Sequence, residues 1–392
     1  MKIAILTSGI LPVPAVQGGA VETLLDYCLE YNEKHRLHDI TVYSVFDKHV
    51  NSHEALKSVV NHYEYIDVES LCAKIYKCIY HLIHRNTYYH YTIEYYFRKA
   101  WKRIQKRYYD IILLDNRPGY ALSMDIPKKT QLYLYLHNDF LNSDTRGSKE
   151  IYDKASRIIT VSQYIANRIK TINKDDTKCF PVLNGIDTHA FSPKPGGTIV
   201  RDKLGLSMND FVIVFSGRLT PEKGIYELIS ALSKLKSYPS IKLLVIGSPF
   251  YGNAKDEDSY VKSLKYKCDS IKDRVVFTGF VPYRQMPAYY RMADVAVVPS
   301  MWDDPCPISV LEAQATGLPI IATRRGGIPE EVTEDNAILL STDESFVDQL
   351  AEAILHLYNH PEEREKMSAC AIVNAKKFTT ERYVEDFYKA LG

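Results

Sequence analysis

The chain has 392 residues, of which 46% are hydrophobic, and this is more than one hydrophobic core usually serves and enough to fill two. Its 49 lysines and arginines against 48 aspartates and glutamates give a net charge of +1, which excludes a chain-wide attraction to nucleic acid or to anionic lipid. The seven cysteines are scattered and form no C-x-x-C pair, so the sequence predicts neither a disulfide framework nor a zinc site.

The first residues are interpreted as a buried strand. The apolar residues 3–6 are followed by Gly9, Pro12 and Pro14, which interrupt the run before the apolar core of a signal peptide develops. Nowhere do eighteen apolar residues stand together, so the sequence predicts no membrane-spanning helix. We therefore expect a cytoplasmic protein.

Short apolar runs alternate with longer segments of helical periodicity in both halves of the chain, which is typical of β-α-β units around a parallel sheet. The pattern breaks at residues 191–197, which are rich in Pro and Gly and suit an interdomain linker. The sequence therefore predicts an α/β protein of two Rossmann-like, doubly wound domains, in which ligands bind beyond the carboxyl ends of the strands. We place an N-terminal domain at residues 1–190, a C-terminal domain at 191–372, and at 373–392 a C-terminal helix that packs back on the N-terminal domain. The apolar runs are 3–6, 40–46, 111–114, 132–136 and 158–161 in the first half, and 212–215, 242–246, 275–277, 295–298 and 320–322 in the second.

A pair of glycines, Gly18 and Gly19, follows the first run and precedes a segment of helical periodicity from Val21 to about Tyr31. Paired glycines before a helix let main-chain amides approach an anion. The pair is not the full G-x-G-x-x-G pattern, so the sequence disfavours a dinucleotide cofactor.

The segment from Leu71 to Tyr109 is basic and rich in tyrosine, with nine lysines or arginines, one acidic residue and nine tyrosines. In its last part an apolar stripe recurs at helical spacing, and the basic residues lie on the other faces. One interpretation is a helix that packs on the N-terminal sheet and leaves a solvated basic face. The other is docking on anionic lipid, to which each basic residue contributes about 1 kcal/mol, at an interface that Tyr and Trp favour. A nucleic-acid partner is not expected, because no recognised binding module is present. The stripe is formed by Phe97, Trp101, Ile104 and Tyr108.

Polar residues follow the third and fourth apolar runs. Asn116 and Arg117 come just after the third run, and His137 and Asn138 follow the fourth. At the carboxyl ends of parallel strands, such side chains are candidates for ligand contact. The structural alternatives are a loop built by Asn116 and Arg117 and a histidine that satisfies a loop carbonyl.

The first run of the second half leads into S-G-R-L-T-P-E-K-G, in which Gly217 permits a close turn and a helix is predicted to begin near Pro221 or Glu222. This places Arg218 and Lys223 beside a helix N-terminus. Two cations and the positive end of a helix dipole form a site for an anion of the size of pyrophosphate. The alternative is that both residues are solvated surface charges.

Glycines also follow the next two runs. Gly247 ends one of them, and Gly279, Phe280 and Val281 follow the other. Gly279 and Val281 stand where a nucleobase could lie against the backbone, so the residues of these loops are candidates for base contact.

Two carboxylates follow the run at 295–298. Asp304 and Glu312 are separated by seven residues, and a helix that begins near Pro307 contains Glu312 and leaves Asp304 in the preceding loop. Carboxylates accept hydrogen bonds from ribose and sugar hydroxyls. The alternative for Asp304 is an N-terminal cap of this helix. The main-chain amides of Cys306 and of residues 308–310 approach the helix N-terminus, where they can donate to phosphate oxygens.

Taken together, these motifs resemble those of the retaining glycosyltransferases of family 4, which have the GT-B fold. The order is R-x-x-x-x-K-G, then T-G-x-V, then an acidic residue and a glutamate separated by seven residues, then A-x-A-x-G-x-P-I-I-A, and it covers most of the C-terminal half. The resemblance implies two Rossmann-like domains that face a central cleft, with acceptor bound by the N-terminal domain and nucleotide-sugar by the C-terminal domain. It implies that Arg218 and Lys223 hold the donor diphosphate, that Glu312 binds the ribose, and that Asp304 faces the transferred sugar, where the family usually has Glu.

The resemblance also assigns roles in the N-terminal domain. Gly18 and Gly19 border the donor phosphate and the acceptor, and His137 lies next to the donor sugar. Candidate acceptor contacts are Asn116, Arg117 and Asn138. Candidate catalytic residues are His137, Asp304, Arg218 and Lys223. Candidate donor-binding residues are Gly18, Gly19, Gly217, Arg218, Lys223, Gly247, Gly279, Phe280, Val281, Asp304, Cys306, Pro307, Ile308, Ser309 and Glu312.

The expected activity follows from the family. We expect a retaining transfer of a hexose-type sugar from a UDP-sugar, or next a GDP-sugar, to a saccharide acceptor such as a lipid-linked intermediate of a bacterial surface polysaccharide. The nucleotide-sugar is a co-substrate, no other cofactor is expected, and the lack of a D-x-D pair near a strand end predicts metal independence. A peripheral contact with the inner face of the cell membrane through residues 71–109 fits such an acceptor. The alternatives are a GT-B nucleotide-sugar epimerase or phosphorylase-like enzyme and a non-catalytic nucleotide-sugar-binding protein.

Overall fold

The computed structural model describes residues 1–83, 91–193, 198–248 and 259–392. The chain divides into two compact units, one formed by Met1–Val182 with Val384–Gly392 and the other by Leu183–Tyr383. The sequence-based boundaries, after residues 190 and 372, differ somewhat from this division. Residues 194–197 of the predicted linker lie outside the described residues.

The first unit is built on a seven-stranded sheet whose neighbouring strands are all parallel. Its strands are β1 (Lys2–Leu6), β2 (Asp39–Val45), β3 (Asn61–Ile66), β4 (Ile111–Asp115), β5 (Gln131–Leu136), β6 (Arg157–Thr160) and β7 (Cys179–Pro181). Its helices are α1 (Ala20–His35), α2 (Leu71–Ile83), α3 (Tyr91–Ile104), α4 (Ser148–Lys154) and α5 (Gln163–Lys170). The spatial order is β3-β2-β1-β4-β5-β6-β7, so the direction of strand addition reverses between β1 and β4.

The second unit repeats this plan with six strands, again all parallel to their neighbours. Its strands are β8 (Phe211–Ser216), β9 (Ile241–Ile246), β10 (Val275–Gly279), β11 (Val295–Val298), β12 (Ile320–Thr323) and β13 (Ala337–Leu340). Its helices are α6 (Thr198–Lys203), α7 (Ile225–Lys234), α8 (Ser259–Lys267), α9 (Met286–Tyr290), α10 (Ile308–Thr316), α11 (Ile328–Glu331), α12 (Phe346–Asn359), α13 (Pro361–Ala375) and α14 (Thr380–Leu391), which continues into the first unit. The order β10-β9-β8-β11-β12-β13 places the reversal between β8 and β11.

The predicted pair of doubly wound α/β domains is confirmed, and each apolar run coincides with a strand to within two residues. The central strands are continuous apolar runs because helices cover both faces of a parallel sheet, so that every side chain of residues 3–6 is buried. In such sheets a crevice opens beyond the carboxyl ends of the strands where the strand order reverses. The ends of β1 and β4 in the first unit, and of β8 and β11 in the second, are therefore the places where a ligand is expected.

The basic segment forms the helices α2 and α3, and residues 84–90 between them lie outside the described residues. Phe97, Trp101 and Ile104 are buried, as the predicted stripe requires. The prediction was wrong for Tyr108, because α3 ends at Ile104 and the exposed Tyr108 hydroxyl donates to Asp110 instead, over 2.9 Å. The packed stripe therefore ends with the helix.

The last residues of α14 pack within the first unit. The Tyr388 hydroxyl donates a hydrogen bond of 2.8 Å to the carbonyl oxygen of Cys28, and the ring of Phe387 lies 5.4 Å from that of Tyr135. Phe387 is fully buried, so these contacts exclude water. The sheet of the first unit is thus covered in part by helical residues from the far end of the sequence.

Within the described residues, no helix is both long enough and apolar enough to cross a bilayer.

Candidate functional site

The turn after β8 contains a glycine at a position where a side chain would clash. The predicted helix start near Pro221 was wrong in detail: residues Pro221–Lys223 form a 3-10 turn, and α7 begins at Ile225 with Gly224 as its N-cap. Gly224 has φ 71°, and a Cβ atom there would lie 1.8 Å from the carbonyl oxygen of Pro299. The turn therefore lies directly against the residue that follows β11.

Lys223 is held at this junction by a buried carboxylate. Its Nζ lies 2.5 Å from Oδ2 of Asp304, whose side chain is 6% exposed. The hydroxyl of Ser300 donates a second hydrogen bond of 3.3 Å to the same oxygen. The residue predicted to hold a diphosphate and the one predicted to face a sugar are thus brought into one ion pair. This pair excludes the interpretation of Lys223 as a solvated surface charge.

Arg218 lies in the same turn but is more open to solvent. Its side chain is 40% exposed, and Nη2 lies 3.5 Å from Oε1 of Glu222 in the following 3-10 turn. An exposed pair of this kind holds its partners weakly. An incoming anion can therefore compete with Glu222 for the guanidinium group.

The loop that carries Asp304 is anchored on both sides. The Gly327 amide donates to the Asp304 carbonyl over 2.8 Å, and the side chain of Asn184 donates to the Cys306 carbonyl over 2.9 Å. The Cys306 thiol donates to Oε1 of Glu331 over 3.2 Å. Burial raises the pKa of the Cys306 thiol well above its usual value, so the thiol stays protonated at neutral pH.

Glu331 was missed by the sequence analysis. Its side chain is fully buried, and Oε2 has no hydrogen-bond partner among the described residues. Burial raises the pKa of this carboxyl well above its usual value. The adjacent glutamate, Glu330, is partly exposed, and no sequence pattern distinguishes the two. The burial of Glu331 can therefore be recognised only from the folded structure.

The helix α10 begins with uncapped amides. Its N-cap is Pro307, and no side chain of the described residues caps it, so the alternative role of Asp304 as the cap was wrong. The amides of Ile308 and Ser309 lie in the first turn, where a helix offers them no acceptor. Pro307 itself has no N–H, and its carbonyl accepts the Val310 amide over 3.0 Å. The anion-binding capacity of this end therefore rests on Ile308 and Ser309.

Glu312 lies on α10 and is 5% exposed. Its Oε2 accepts a hydrogen bond of 2.7 Å from the hydroxyl of Tyr290, a residue that the sequence analysis did not select. Burial raises the pKa of Glu312 to about 7, and the hydrogen bond from Tyr290 opposes this shift. The carboxylate is therefore balanced between its two protonation states near neutral pH.

The predicted glycines draw the loops after β8, β9 and β10 together. A Cβ atom on Gly247 would lie 1.9 Å from the carbonyl oxygen of Gly217, and the Gly247 amide donates to the carbonyl of Gly279 over 3.0 Å. Beyond them, Phe280 is half-buried and Val281 is buried. Backbone rather than side chains therefore lines this part of the strand ends.

In the first unit, His137 is buried beside an aspartate. Its Nε2 lies 3.1 Å from Oδ1 of Asp115, and its main-chain amide donates to Oδ1 of Asn116 over 3.1 Å. The ring partner is thus a carboxylate rather than the loop carbonyl of the structural alternative. Asp115 was missed although it directly follows the apolar run 111–114, because it is still the last residue of β4. The pair lies at the carboxyl ends of β4 and β5.

The candidate acceptor residues lie in the same loops. The guanidinium of Arg117 lies 5.8 Å from the ring centre of Phe140, and its buried Nε has no hydrogen-bond partner among the described residues. Asn138 is half-buried, and its carbonyl accepts the Phe140 amide over 2.8 Å. Asn116 adopts φ 57°, a conformation that asparagine tolerates better than most residues. These side chains lie along the rim of the loops, and among the described residues no hydrogen bond joins one of them to another.

The glycine pair precedes α1, which is longer than predicted. Gly19 is its N-cap with φ 108°, and the carboxylate of Glu22 lies so close that a Cβ atom on Gly19 would be 2.3 Å from Oε2. Glu22 is buried, and burial raises its pKa to about 8, with the charge of Asp115 acting in the same direction. Sequence analysis missed Glu22 because a glutamate in the first turn of a helix is common.

No group of three or more metal-ligating side chains stands close enough to hold an ion among the described residues.

Comparison with known proteins supports the fold and the family of motifs. Residues 198–373 match the family model described as glycosyl transferases group 1. Spore coat protein SA of Bacillus subtilis is 28% identical over 94% of this chain and 92% of its own length, and the putative glycosyltransferase YtcC of the same organism is 28% identical over 96% and 87%. The crystal structure of Anabaena Alr3699/HepE in complex with UDP-glucose is similar over 100% of this chain and 99% of that chain, with a TM-score of 0.77 at 22% identity. The predicted GT-B type of α/β fold is thereby confirmed.

Proposed function

Residues 198–373 belong to the glycosyl transferases group 1, and on this premise we propose that the chain transfers a hexose-type sugar from a nucleoside-diphosphate sugar to a saccharide acceptor. The observation that carries the proposal is the ion pair of Lys223 and Asp304 at the carboxyl ends of β8 and β11. It places a cation for a diphosphate next to a carboxylate for sugar hydroxyls. In a nucleotide-sugar the diphosphate is bonded to the sugar, so a cation and a carboxylate that lie side by side can bind both parts.

The donor is proposed to bind along the second unit. Arg218 and Lys223 neutralise the diphosphate, and the first amides of α10 donate to its oxygens. Glu312 accepts hydrogen bonds from the ribose, and the glycine-lined loops beyond β9 and β10 receive the base. Anabaena HepE was crystallised with UDP-glucose, which supports a UDP-hexose as the first donor to test and a GDP-hexose as the next.

The reaction is proposed to retain the configuration of the transferred sugar. In the front-face mechanism expected for this family, the leaving diphosphate itself assists the acceptor hydroxyl. The protein then has to position the reactants and stabilise negative charge on the leaving group, which Arg218, Lys223 and the amides of Ile308 and Ser309 can do. Asp304 orients the sugar, and as the shorter homologue of glutamate it reaches one methylene less far into the site.

The acceptor is proposed to bind in the first unit. His137 is oriented by Asp115, so that its ring presents a fixed edge to a ligand at the carboxyl ends of β4 and β5. Asn116, Arg117 and Asn138 supply polar contacts in the adjoining loops. The unsatisfied Nε of Arg117 is a donor that an acceptor hydroxyl or phosphate can use.

A lipid-linked acceptor is supported by an apolar face on α2. Leu71, Ile75 and Ile79 are spaced by four residues and are 75%, 53% and 50% exposed. On the opposite face Ala73 and Tyr80 are buried, and the ring of the half-buried Tyr76 packs 5.5 Å from that of Tyr95 on α3. An exposed apolar stripe on a helix without acidic residues suits the interface of an anionic membrane. We therefore propose peripheral contact with the inner face of the cell membrane within residues 71–109, of which 84–90 lie outside the described residues.

The basic residues on the α3 side of this segment offer less positive charge to a membrane than the sequence suggested. Arg103 and Arg107 lie 3.1 and 2.7 Å from the two carboxylate oxygens of Glu64. Their charge is therefore partly neutralised before any lipid arrives. The apolar face of α2, with the exposed Lys74 beside it, is the stronger candidate for membrane contact.

The proposal is tested first by binding and then by turnover. In a thermal-shift panel of UDP- and GDP-sugars, the true donor raises the melting temperature because it binds only the folded state. With that donor, release of the nucleoside diphosphate is then measured with and without a saccharide acceptor.

The competing activities give different results in the same assay. A GT-B epimerase converts the sugar without an acceptor, and a phosphorylase-like enzyme needs inorganic phosphate. A non-catalytic sensor binds donor and releases nothing. Absence of acceptor-dependent release with every acceptor class tried, together with donor binding, would favour the sensor.

A further inference from the structure

Tyr290 is buried beside the carboxylate proposed to bind ribose. Its side chain is 1% exposed, and its hydroxyl donates to Oε2 of Glu312 over 2.7 Å. The two residues come from different elements, since Tyr290 ends α9 and Glu312 lies in the middle of α10. The hydrogen bond therefore fixes one helix against the other at the level of the carboxylate.

The phenol oxygen has a second partner. The side-chain hydroxyl of Ser216, the last residue of β8, is also hydrogen-bonded to Tyr290. Phe191 packs edge-on against the phenol ring, with the ring centres 6.0 Å apart. The position of the hydroxyl is thus set by a strand end on one side and by aromatic packing on the other. A series of hydrogen bonds runs from β8 to α10 through this one oxygen.

This arrangement determines what Glu312 can offer a ligand. A carboxylate has two oxygens, and when one is taken by a fixed donor the rotation of the group is fixed as well. The other oxygen then accepts from a hydroxyl group in a defined direction. A buried carboxylate without any donor would instead be forced toward its protonated form, in which it loses acceptor capacity.

We propose that Tyr290 is a positioning residue which holds the Glu312 carboxylate in the orientation that accepts hydrogen bonds from the ribose hydroxyls of the donor nucleotide. The inference rests on the proposed function, because it takes the ligand of Glu312 to be that ribose. It goes further by assigning a role to a residue that does not itself contact the donor. It also predicts that this role is specific to the sugar ring of the nucleotide.

The test compares ribose with a ribose that lacks its hydroxyls. Binding of UDP, GDP and their 2′,3′-dideoxy counterparts is measured by isothermal titration calorimetry for the wild type and for Tyr290→Phe, which keeps the ring and removes only the hydroxyl. We expect the substitution to weaken binding of the ribonucleotide about tenfold, the effect of losing one hydrogen bond to a charged group, and to leave the dideoxy nucleotide unchanged within error. Binding of the dideoxy nucleotide then also shows that the variant is folded.

A matched control is the preceding residue of the same helix. Tyr289→Phe removes a hydroxyl from α9 at a half-buried side chain for which the structure gives no contact with Glu312, and we expect it to leave both affinities unchanged. Equal weakening of the ribo and dideoxy nucleotides by Tyr290→Phe would overturn the inference, because it would show a general structural effect.

Glu312→Gln separates this inference from the proposed function. If that variant removes the discrimination between ribo and dideoxy nucleotide while Tyr290→Phe keeps it, the positioning role fails and the ribose contact stands. Two results would reject both the positioning role and the proposed donor site. One is that Glu312→Gln discriminates between ribo and dideoxy nucleotides as well as the wild type does, and the other is that the wild type binds neither UDP nor GDP.

Discussion

The ammonium nitrogen of Lys223 lies 2.5 Å from Oδ2 of Asp304 and covers a carboxylate that is almost completely buried. Two groups that a nucleotide-sugar would use separately are therefore each other's partners before it binds. A diphosphate that approaches Lys223 competes with Asp304, and the sugar hydroxyls can replace the lost contact on the carboxylate. In the proposed donor site, this exchange would couple binding of the phosphate end to binding of the sugar end.

Replacement of Lys223 by alanine is expected to lower kcat/KM for transfer about 100-fold, because one cation that stabilises the leaving diphosphate is lost. The measurement is acceptor-dependent release of nucleoside diphosphate. Lys234→Ala is the control, since this lysine also pairs with an aspartate, Asp348, but on the exposed surface of α7. Full activity of the Lys223 variant would contradict the assigned diphosphate site.

Asp304→Asn is expected to separate nucleotide binding from transfer. Without the carboxylate, Lys223 loses its competing partner, and we expect UDP to bind at least about threefold more tightly, because the buried ion pair no longer has to be broken. Transfer should nevertheless fall, because an amide orients the sugar hydroxyls less strongly than a carboxylate. Calorimetry with UDP and the transfer assay measure the two effects. Weaker UDP binding together with unchanged transfer would contradict both expectations for Asp304→Asn.

The pKa of Glu312 predicts a pH dependence of donor binding. Burial raises this pKa from 4.5 to about 7, so the carboxyl becomes a charged acceptor as the pH rises through 7. The preference for UDP over its dideoxy counterpart should therefore grow between pH 6 and pH 8. The ratio of the two affinities cancels the titration of the phosphate itself. Glu312→Gln should show a ratio that does not change with pH, and a wild-type ratio as flat as that of the variant would count against the assignment.

Glu22 predicts a pH dependence of stability. Its pKa is raised from 4.5 in the unfolded chain to about 8, so the folded state binds the extra proton between these values and stability falls as the pH rises through this window. Glu22→Gln should remove this loss. The change that it causes in the free energy of unfolding should therefore be more stabilising at pH 9 than at pH 4, by about 4 kcal/mol. Urea unfolding at both pH values measures the difference. The exposed Glu54→Gln is the control and should show no such difference.

Gly224 predicts a steric requirement of the fold. A Cβ atom there would lie 1.8 Å from the Pro299 carbonyl, whereas one on Gly205, which has a similar φ of 68°, would meet nothing within 4 Å. Gly205→Ala should therefore cost about 1 kcal/mol of stability from backbone strain alone. Gly224→Ala should cost at least twice as much and also weaken donor binding, because the turn that carries Lys223 has to move. Equal costs in urea unfolding would refute the close contact.

The apolar face of α2 predicts membrane binding. Ile75→Asp combined with Ile79→Asp should weaken binding to vesicles of phosphatidylglycerol and phosphatidylcholine at least tenfold, because burial of two aliphatic side chains is lost. Cosedimentation measures the bound fraction. Val373→Asp is the control, an equally exposed apolar residue on α13 in the second unit. Unchanged vesicle binding by the double variant, or equal binding to vesicles of phosphatidylcholine alone, would reject an anionic membrane as the partner.

The sequence was sufficient for the central strands and insufficient for three of the four edge strands. Every buried apolar run became a strand, because helices on both faces of a parallel sheet demand apolar side chains along its whole length. The strands β3, β7 and β13 were missed, and all three lie at sheet edges. The sequence of β3, Asn61–Ile66, mixes polar and aromatic residues, and β7 has three residues. An edge strand needs less apolar surface, so its pattern is weaker.

The same limit applies to the candidate site. Local motifs selected Lys223, Asp304 and Glu312, because their spacing within one turn or one helix is visible in the sequence. Tyr290 and Glu331 have no such signal, since their roles arise from contacts between elements. The hydrogen bond of Tyr290 spans 22 positions, and the ion pair of Lys223 and Asp304 spans 81. Which distant side chains meet is decided by the packing of the helices on the sheet.

The hydrogen bond between Tyr388 and Cys28 joins residues 360 positions apart within one unit. On the ribosome, the sheet of the first unit is complete once Pro181 has emerged, yet the residues that cover it from Val384 onward are made only after the whole second unit. While the second unit is synthesised, Tyr135 and Cys28 of the first unit therefore lack the contacts of Phe387 and Tyr388. A chain that stops early would expose this apolar surface and become a target for chaperones and proteases.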